Sequence, residues 1–450
     1  MKPDKYIRLS DGAVMLLYSK TITPRLQYIC DFIGNDLTGK SISITTDRNL
    51  YEKETGPRIN YSDTLISPDE FWLKPHSLLF EKGILSQVID CFDIAEYKGF
   101  YRTDGDFPFD FLAASFYLLS RYEEYLPHKK DIYGRYGHEN SLAFKEGFLN
   151  KPLINIWMQE FKRVFQQKFP SFSIHHSHFT FLPTYDIDEA YSYKHKGWKR
   201  TGGAMLKDLF RGELKKLVLR GNVINGKARD PFDSYEWMDS LHDEFRLKPR
   251  YFFLVAQRIS RYDRNILPGK TALKALIWRH ASKYEIGVHP SWQSGDEPSL
   301  IKTEKTIVAE TIGFEIISSR QHFIRLVLPQ TYRHLTEAGI MEDFSMGYGS
   351  INGFRASVAS PFYWYDLEKE ETTGLLLYPF CYMEANSFYE QKYSPQKALE
   401  EMKWYYNEVK RVNGTLITIW HNTFLGTDER FVGWKDVYAE FIKEVADKRN

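Results

Sequence analysis

Apolar strand-like segments alternate with amphipathic helix-like segments from residue 178 onward, and this alternation restricts the fold more than any other feature of the 450-residue sequence. The strand-like segments include HFTFLPTYDID, PRYFFLVA, EIGVHPS and GTLITIWHN. Parallel strands need a crossover connection between them, and a helix usually supplies it. The sequence therefore predicts an α/β fold in which helices cover a parallel sheet or barrel.

Residues 1–175 follow a different pattern and are predicted to form a smaller mixed α/β domain of unknown role. The segments AVMLLYS and SISITTD are typical of strands. The segment DFPFDFLAASFYLLSRYEEYL is typical of an amphipathic helix, with Arg121, Glu123 and Glu124 on a solvated or inter-domain face. A linker, PSFSIHHSH, then leads into the second predicted domain, residues 176–450. The length of the chain is itself more than one ordinary domain needs.

Composition excludes several classes of protein. Hydrophobic residues make up 43% of the chain and aromatic residues 16%, which excludes a disordered chain. A net charge of +1 argues against a globally basic nucleic-acid binder. Three cysteines without a CxxC pair favour a reducing compartment. We find no signal peptide and no apolar stretch long enough to span a membrane, so we expect a cytoplasmic protein.

Carboxylates, imidazoles and guanidinium groups lie at the ends of the predicted strands, where α/β folds gather their chemistry. Asp186 and Asp188 are one residue apart, so both side chains lie on one face of a strand. Two carboxylates this close repel unless a cation separates them. Imidazole and carboxylate together suit a divalent metal. The candidates, in chain order, are Asp186, Asp188, His289, Arg320, His322, Asp343, Arg355, Glu384 and His421.

Four of these segments, TYDID, EIGVHPS, GFRAS and LITIWHN, resemble in their order the motifs of polysaccharide deacetylases, the NodB-homology group of carbohydrate esterase family four. The resemblance covers about residues 178–445. It implies a distorted (β/α) barrel and a metal-dependent hydrolase that removes acetyl groups from an amino sugar or an acetylated glycan. The implied metal is Zn, with Co, Ni, Fe or Mn as alternatives. The N-terminal region is similar to an uncharacterised domain that accompanies such enzymes.

The resemblance also implies a metal set and a base. Asp186 would be the base that activates water, and Asp188 would bind the metal, although Ile187 between them leaves an exchange of these roles open. His289 matches a metal ligand of the second motif. The partner histidine of that motif is missing, since its position falls in PSWQS. His322, at the end of the next strand, is the expected substitute, and the alternative is a metal-free site.

The remaining candidates receive roles that deacetylation requires. His421 would be the general acid, because imidazole titrates nearest to working pH. Arg355, in GFRAS, would orient the base and lower its pKa. Asp343 and Glu384 would orient His421 or contact substrate, and a structural ion pair is the alternative for both. The residues predicted to contact substrate are Trp292, Arg320, Tyr348, Asp343 and Glu384.

A basic insertion, residues 194–229, interrupts the alternation after the first strand. It contains eleven Lys and Arg residues and two acids. In one interpretation the basic residues are solvated and the apolar residues pack on the body of the protein. These apolar residues are Leu206, Leu209, Phe210, Leu214, Leu217 and Leu219. In the other it is a flap over the site that contacts an anionic sugar, a nucleotide-sugar or lipid phosphate, or a membrane surface.

Two further functions compete with the deacetylase. A catalytically silent relative would only bind a glycan or act as a scaffold in glycan assembly, and the missing second-motif histidine favours it. The presence of both Asp186 and His421 opposes it, since a binding protein needs neither a base nor an acid. A different barrel metalloenzyme would need more carboxylate ligands or a carbamylated lysine, and no strand-end lysine is present to serve.

Overall fold

The computed structural model describes residues 15–37, 39, 42–172 and 178–447. The prediction that the sequence has no signal peptide concerns residues 1–14, which lie outside this range. Residues 173–177, the middle of the predicted linker, also lie outside this range. The predicted domain boundary, between residues 175 and 176, falls among them. The division into 1–175 and 176–450 therefore stays a prediction.

The N-terminal region is mixed α/β, as its sequence predicts. Its parallel sheet has the order β2-β1-β3-β4, and β5 and β6 form an antiparallel hairpin. The strands are β1 (Met15–Tyr18), β2 (Ile42–Thr45), β3 (Arg58–Asn60), β4 (Phe71–Trp72), β5 (Phe92–Ile94) and β6 (Tyr97–Gly99). The helices are α1 (Pro24–Asp31), α2 (Arg48–Lys53), α3 (Phe111–Leu119), α4 (Leu142–Lys145) and α5 (Leu153–Lys168).

Helix α3 departs from the amphipathic helix that its sequence suggests. Asp110 caps it by accepting a hydrogen bond from the Ala113 amide, and every residue from Phe111 to Leu119 is buried. The helix ends where Arg121 adopts a left-handed conformation with φ 53°. An all-round apolar helix belongs inside a core. The charged residues that follow α3 are therefore buried against other elements and do not form a solvated face.

The larger sheet has nine strands in the order β12-β13-β11-β10-β9-β8-β7-β15-β14. Every neighbouring pair is parallel except β12 and β13, which are antiparallel. The strands are β7 (Thr180–Ile187), β8 (Arg250–Leu254), β9 (Glu285–His289), β10 (Ser318–Ser319), β11 (Glu342–Asp343), β12 (Phe362–Asp366), β13 (Glu371–Leu377), β14 (Tyr382–Met383) and β15 (Thr415–His421).

Helices alternate with these strands, which confirms the predicted α/β class. They are α6 (Trp198–Phe210), α7 (Leu214–Ile224), α8 (Tyr235–Glu244), α9 (Thr271–Ala281), α10 (Ser299–Ile312), α11 (Gln330–Glu337), α12 (Pro395–Arg411) and α13 (Trp434–Asp447). Over the described residues no hydrogen-bonded pairing joins the edge strands β12 and β14, so the sheet does not show the closed form of the predicted barrel.

The two faces of the sheet have separate apolar cores. Side chains alternate between the faces along each strand. Tyr185 and Ile187 of β7 belong to the large core beneath the helices. Phe252 of β8 and Ile417 and Ile419 of β15 belong to a small second core with Phe344, which lies just after β11. Strands that are not neighbours therefore share one interior, and the sheet is curled around it.

A buried ion-pair network joins the N-terminal region to the larger sheet. Arg355 donates to Glu124 from Nε at 2.8 Å and from Nη2 at 2.6 Å. Arg121 donates to the same carboxylate at 2.8 Å. Burial opposes ionisation of Glu124, but the two guanidinium groups outweigh it and lower the pKa of Glu124 to about 2. Removal of one partner would leave a buried charge without compensation.

We expect Arg355→Ala to lower the free energy of unfolding by about 3 to 5 kcal/mol, because Glu124 would stay buried with half of its compensating charge. Denaturant unfolding of the full chain measures this. The matched control is Arg258→Ala, whose ion pair with Glu297 is exposed and whose loss should change stability by about 1 kcal/mol or less. Equal effects for the two variants would contradict a structural role for the buried pair.

Acid should remove the same stabilisation. The folded-state pKa of Glu124, about 2, lies below its ordinary value of 4.5. The contribution is therefore complete above pH 4.5 and is lost as the pH falls toward 2. The difference in unfolding free energy between wild type and Glu124→Gln, measured by denaturant titration at a series of pH values, should shrink over this interval. A difference that grows on acidification would refute the assignment.

Candidate metal centre and active site

Alternation along the strands places the predicted site residues on the inner face of the sheet. Asp186 belongs to β7, and Asp188 directly follows it. Ile187 between them points into the opposite core, which explains why the two aspartates are separated by one residue. His421 ends β15 and pairs in register with Asp186, while His289 ends β9. The four side chains therefore meet at the C-terminal ends of β15, β7 and β9, with β8 between β7 and β9.

Asp188, His289 and His322 form a compact group that could hold a metal ion. Oδ1 of Asp188 lies 3.1 Å from Nε2 of His289 and 3.4 Å from Nδ1 of His322. The two facing imidazole nitrogens are 3.1 Å apart. One ligand atom from each residue lies within 4.8 Å of the others. Three ligands from one carboxylate and two imidazoles leave room for a water or substrate on a divalent ion.

Backbone carbonyls set the tautomers of both histidines. Nδ1 of His289 donates to the carbonyl of Arg320 at 2.6 Å, and Nε2 of His322 donates to the carbonyl of Tyr262 at 3.2 Å. In its neutral form, each imidazole therefore carries no proton on the nitrogen that faces the cluster. Histidines that bind metals are held in the same way, by a hydrogen bond from the other ring nitrogen. Oδ1 of Asp188 is buried and receives no hydrogen bond from the described residues. This donor set fits a divalent metal.

The charges around Asp188 favour its ionised form. Burial opposes ionisation, but the imidazoles of His322 and His421 outweigh burial and hold the pKa of this carboxyl well below its usual range. Burial likewise disfavours the charged form of His322, but Asp188 outweighs it and raises the pKa of His322. The carboxylate is therefore available as a ligand over the whole physiological range of pH.

Arg320 holds Asp186 in place. Its Nη1 donates to Oδ1 of Asp186 at 2.7 Å, and its Nη2 donates to Oγ1 of Thr184 at 2.7 Å. Arg320 was predicted to contact substrate, but it is completely buried. Arg355 was predicted to orient Asp186, and it pairs instead with Glu124 in the N-terminal region. The guanidinium partner of Asp186 therefore comes from the strand end beside His289.

His421 is held by Glu384. Both the backbone amide and Nδ1 of His421 donate to Oε1 of Glu384, at 2.7 and 2.6 Å. Its Nε2 faces Oδ2 of Asp188 at 3.4 Å. Burial disfavours the imidazolium, but Glu384 and Asp188 outweigh it and raise the pKa of His421 to about 10. Of the three alternatives for Glu384 (orientation of His421, contact with substrate, or a structural ion pair), orientation of His421 is the one that its contacts support.

Four aromatic rings lie beside the metal ligands, and the sequence pointed to only one of them, Trp292. Tyr262 stacks on Trp292 with ring centroids 4.1 Å apart, and Phe323 and Tyr133 pack edge-on against Trp292. Phe323 lies 4.7 Å from the His322 ring. Tyr262 follows strand β8, so the strand-end rule could have indicated it. Tyr133 comes from the N-terminal region, and no sequence signal linked it to the site.

The segment after His322 is strained. Phe323 and Ile324 both have positive φ, 59° and 51°, a region that non-glycine residues seldom adopt. Arg135 of the N-terminal region holds this segment by donating from Nη1 to the Phe323 carbonyl at 2.6 Å. Such conformations cost on the order of 1 to 3 kcal/mol each and cluster at functional sites. The N-terminal region thus helps to shape the rim of the site.

Two residues that were predicted to contact substrate make other contacts instead. Tyr348 is buried, and its hydroxyl accepts a hydrogen bond from Arg121 at 3.3 Å. Asp343 is buried and accepts hydrogen bonds from Ser319 and Ser345, and burial raises its pKa to about 6. Neither side chain presents a free face to a substrate, because the interior of the curled sheet and the N-terminal region enclose them.

The chain matches one family model and has low similarity to several solved structures. A family model described only as a family of unknown function, DUF7033, matches residues 15–170. No curated protein matches the chain. Among solved structures, the PuuE allantoinase is 12% identical, with 60% of this chain and 84% of that one covered and a TM-score of 0.37. A polysaccharide deacetylase from Bacillus cereus is 10% identical, with 59% and 88% covered and a TM-score of 0.31.

We expect the purified protein to bind one Zn²⁺ or Co²⁺ per chain and His322→Ala to weaken binding by at least about tenfold, because a three-ligand site would lose one ligand. Isothermal titration with Zn²⁺ and the visible absorption of bound Co²⁺ measure this without any substrate. His178→Ala, a change at an exposed histidine, is the matched control. Unchanged affinity in His322→Ala would exclude His322 as a ligand.

Proposed function

We propose that this protein is a metal-dependent hydrolase, with Zn²⁺ as the expected ion, that removes acetyl groups from an amino sugar or an acetylated glycan. The observation that supports it is the placement of three groups around one point. Asp186 and the His421–Glu384 pair, on the neighbouring strands β7 and β15, both border the Asp188–His289–His322 cluster. We also propose that the curled sheet is an open variant of the distorted barrel of NodB-type deacetylases.

Asp186 is the proposed base. A divalent ion in the cluster would lower the pKa of a water toward about 7 and polarise the acetyl carbonyl. Oδ2 of Asp186 lies 3.8 Å from Nε2 of His289, at the edge of the cluster, and is the oxygen free to accept the proton. Arg320 engages the other oxygen, Oδ1, and so fixes the carboxylate plane. Asp186 is nearly completely buried, so few bulk waters compete for it.

His421 is the proposed acid. Its Nε2 faces Oδ2 of Asp188 at the edge of the cluster and carries a proton while Glu384 holds Nδ1. Transfer of that proton to the leaving nitrogen or oxygen of the sugar completes hydrolysis and yields acetate and the deacetylated sugar. The proposed base and acid lie on neighbouring strands and border the same ligand cluster, so one can accept a proton and the other can donate one at a single bound substrate. A protein that only binds glycans needs neither.

The aromatic rings beside the cluster are the proposed sugar-binding surface. Trp292, Tyr262 and Tyr133 are each half-buried, so part of each side chain is exposed to solvent. Arg325 lies over the Trp292 ring at 4.4 Å and stiffens it. Flat aromatic faces stack on the apolar faces of sugar rings, and half-buried rings lose little conformational freedom when they do so. Tyr133 would give the N-terminal region a direct part in substrate binding.

Two variants separate the acid from a metal ligand. His421→Ala should keep the metal and lose about 10² to 10⁴ in rate, because the acid contacts the leaving group. His289→Ala should lose metal and activity together, since two ligands hold the ion poorly. Acetate release from a panel of N-acetylated and O-acetylated saccharides, with metal content measured in parallel, provides both readouts.

Other results would contradict the proposal. If His421→Ala lost the metal, His421 would be a ligand and not the acid. If the metal-loaded wild type released no acetate from any N- or O-acetylated saccharide but still bound glycans, the silent binding protein would be the better description. His178→Ala, with an exposed histidine, should match wild type in both readouts.

A further inference from the structure

Helices α6 and α7, which form most of the basic insertion, expose their large apolar side chains to solvent. Trp198 and Phe210 are each 81% exposed, and Val218 is 62% exposed. Five further side chains are more than a third exposed: Leu206, Leu209, Leu214, Leu219 and Ile224. These exposures contradict the interpretation in which the apolar residues pack on the body of the protein for five of its six side chains, and Leu217 alone is partly buried. Soluble proteins seldom display so many large apolar side chains together unless the surface binds something.

Polar groups occupy the inner side of this α6–α7 hairpin instead. Arg220 of α7 donates from Nη2 to Oδ2 of Asp208 of α6 at 2.8 Å, and side chains of both are only about a tenth exposed. Arg220 also lies over the Tyr193 ring at 4.4 Å. The hairpin is thus closed by an ion pair. The exposed apolar side chains are not enclosed between the two helices and are free to contact another surface.

Unpaired basic residues accompany the exposed apolar ones. Within the parts of the chain that the structure describes, no ion pair engages Lys199, Lys207, Arg211 or Lys215. Each of these four side chains is exposed. A helix that combines Trp, Phe and Leu on one side with Lys and Arg on the other is typical of the interface between lipid headgroups and acyl chains. Anionic lipids attract such basic residues further.

The hairpin rises from the rim that carries the candidate site. At its base, Nζ of Lys196 lies 2.9 Å from Oε2 of Glu189, the residue after Asp188. Arg200 donates to the carbonyls of Asn265 and Arg264, in the loop that follows β8. Contacts on two sides of the rim therefore fix the direction in which the hairpin leaves the body of the protein.

We propose that the α6–α7 hairpin docks this protein onto an anionic lipid bilayer. Trp198, Phe210 and the exposed leucines enter the headgroup region, and the unpaired lysines and arginines contact lipid phosphates. None of the described helices is long and apolar enough to cross a membrane, so the contact is at the surface. A second copy of this chain fits less well, because a two-fold pair would bring two strongly basic hairpins face to face.

Vesicle co-sedimentation of the full chain tests the proposal without substrate or turnover, so its outcome is independent of the proposed hydrolase. Wild type should bind vesicles of phosphatidylcholine with about a third phosphatidylglycerol, and binding should weaken between about 0.1 and 0.5 M salt. The double variant Trp198→Ser/Phe210→Ser and the triple variant Lys207→Glu/Arg211→Glu/Lys215→Glu should each lose at least about tenfold in partitioning.

Matched controls lie elsewhere on the surface. Trp278→Ser removes a tryptophan that is 63% exposed, and Lys53→Glu/Lys82→Glu/Lys302→Glu reverses three exposed charges. Both controls should bind as wild type does. Equal losses in controls and hairpin variants, or equal binding to vesicles of phosphatidylcholine alone, would overturn the proposal. So would lipid-free self-association of wild type that Trp198→Ser/Phe210→Ser abolishes in sedimentation velocity, because the hairpin would then bind a second copy.

Discussion

The buried guanidinium of Arg320 is the interaction on which the site depends. Its side chain donates hydrogen bonds to Asp186 and Thr184 on β7 and to the Phe344 carbonyl just after β11. Its backbone carbonyl accepts a hydrogen bond from Nδ1 of His289. One residue therefore positions the proposed base and sets the tautomer of a proposed metal ligand. It also crosses the small interior core, with the Phe252 ring 4.4 Å away. The curl of the sheet and the geometry of the site share this single anchor.

The N-terminal region is part of the same architecture and not a separate attachment. Its residues reach the larger sheet through Glu124 and Arg355 and reach the strained segment after His322 through Arg135. A strained backbone conformation persists only where several surrounding contacts hold it in place. The contact from Arg135 is one of those contacts, and Tyr133 adds a ring to the aromatic group beside it. The shape of the rim is therefore a joint property of both halves of the chain.

Much of the fold and the ligand cluster follow from local patterns in the sequence. The alternation of strands and helices predicts the parallel sheet, and the D-I-D spacing with strand-end histidines predicts a shared face, because both rules depend only on neighbouring residues. The choice between Arg320 and Arg355 could not be predicted in this way. Both were placed at the ends of predicted strands, but only Arg320 directly follows a strand in the structure, and Arg355 lies in the segment between β11 and β12. Tertiary packing decides which one reaches Asp186. The hairpin of residues 198–224 was ambiguous for a similar reason, since an amphipathic pattern does not say which face turns outward.

The pairing of β7 with β15 has a consequence for how the chain folds. Thr184 donates to the carbonyl of Thr418, 234 residues later in the sequence. Closing so large a loop is entropically costly, and contacts between distant residues form late and slowly. Asp186 and His421 sit on these two strands, so neither can meet the other until the last strand has inserted beside the first. During synthesis, the edge of β7 that pairs with β15 lacks its partner while almost the whole remaining chain is made. This unpaired edge makes β7 a natural target for chaperones or for mispairing.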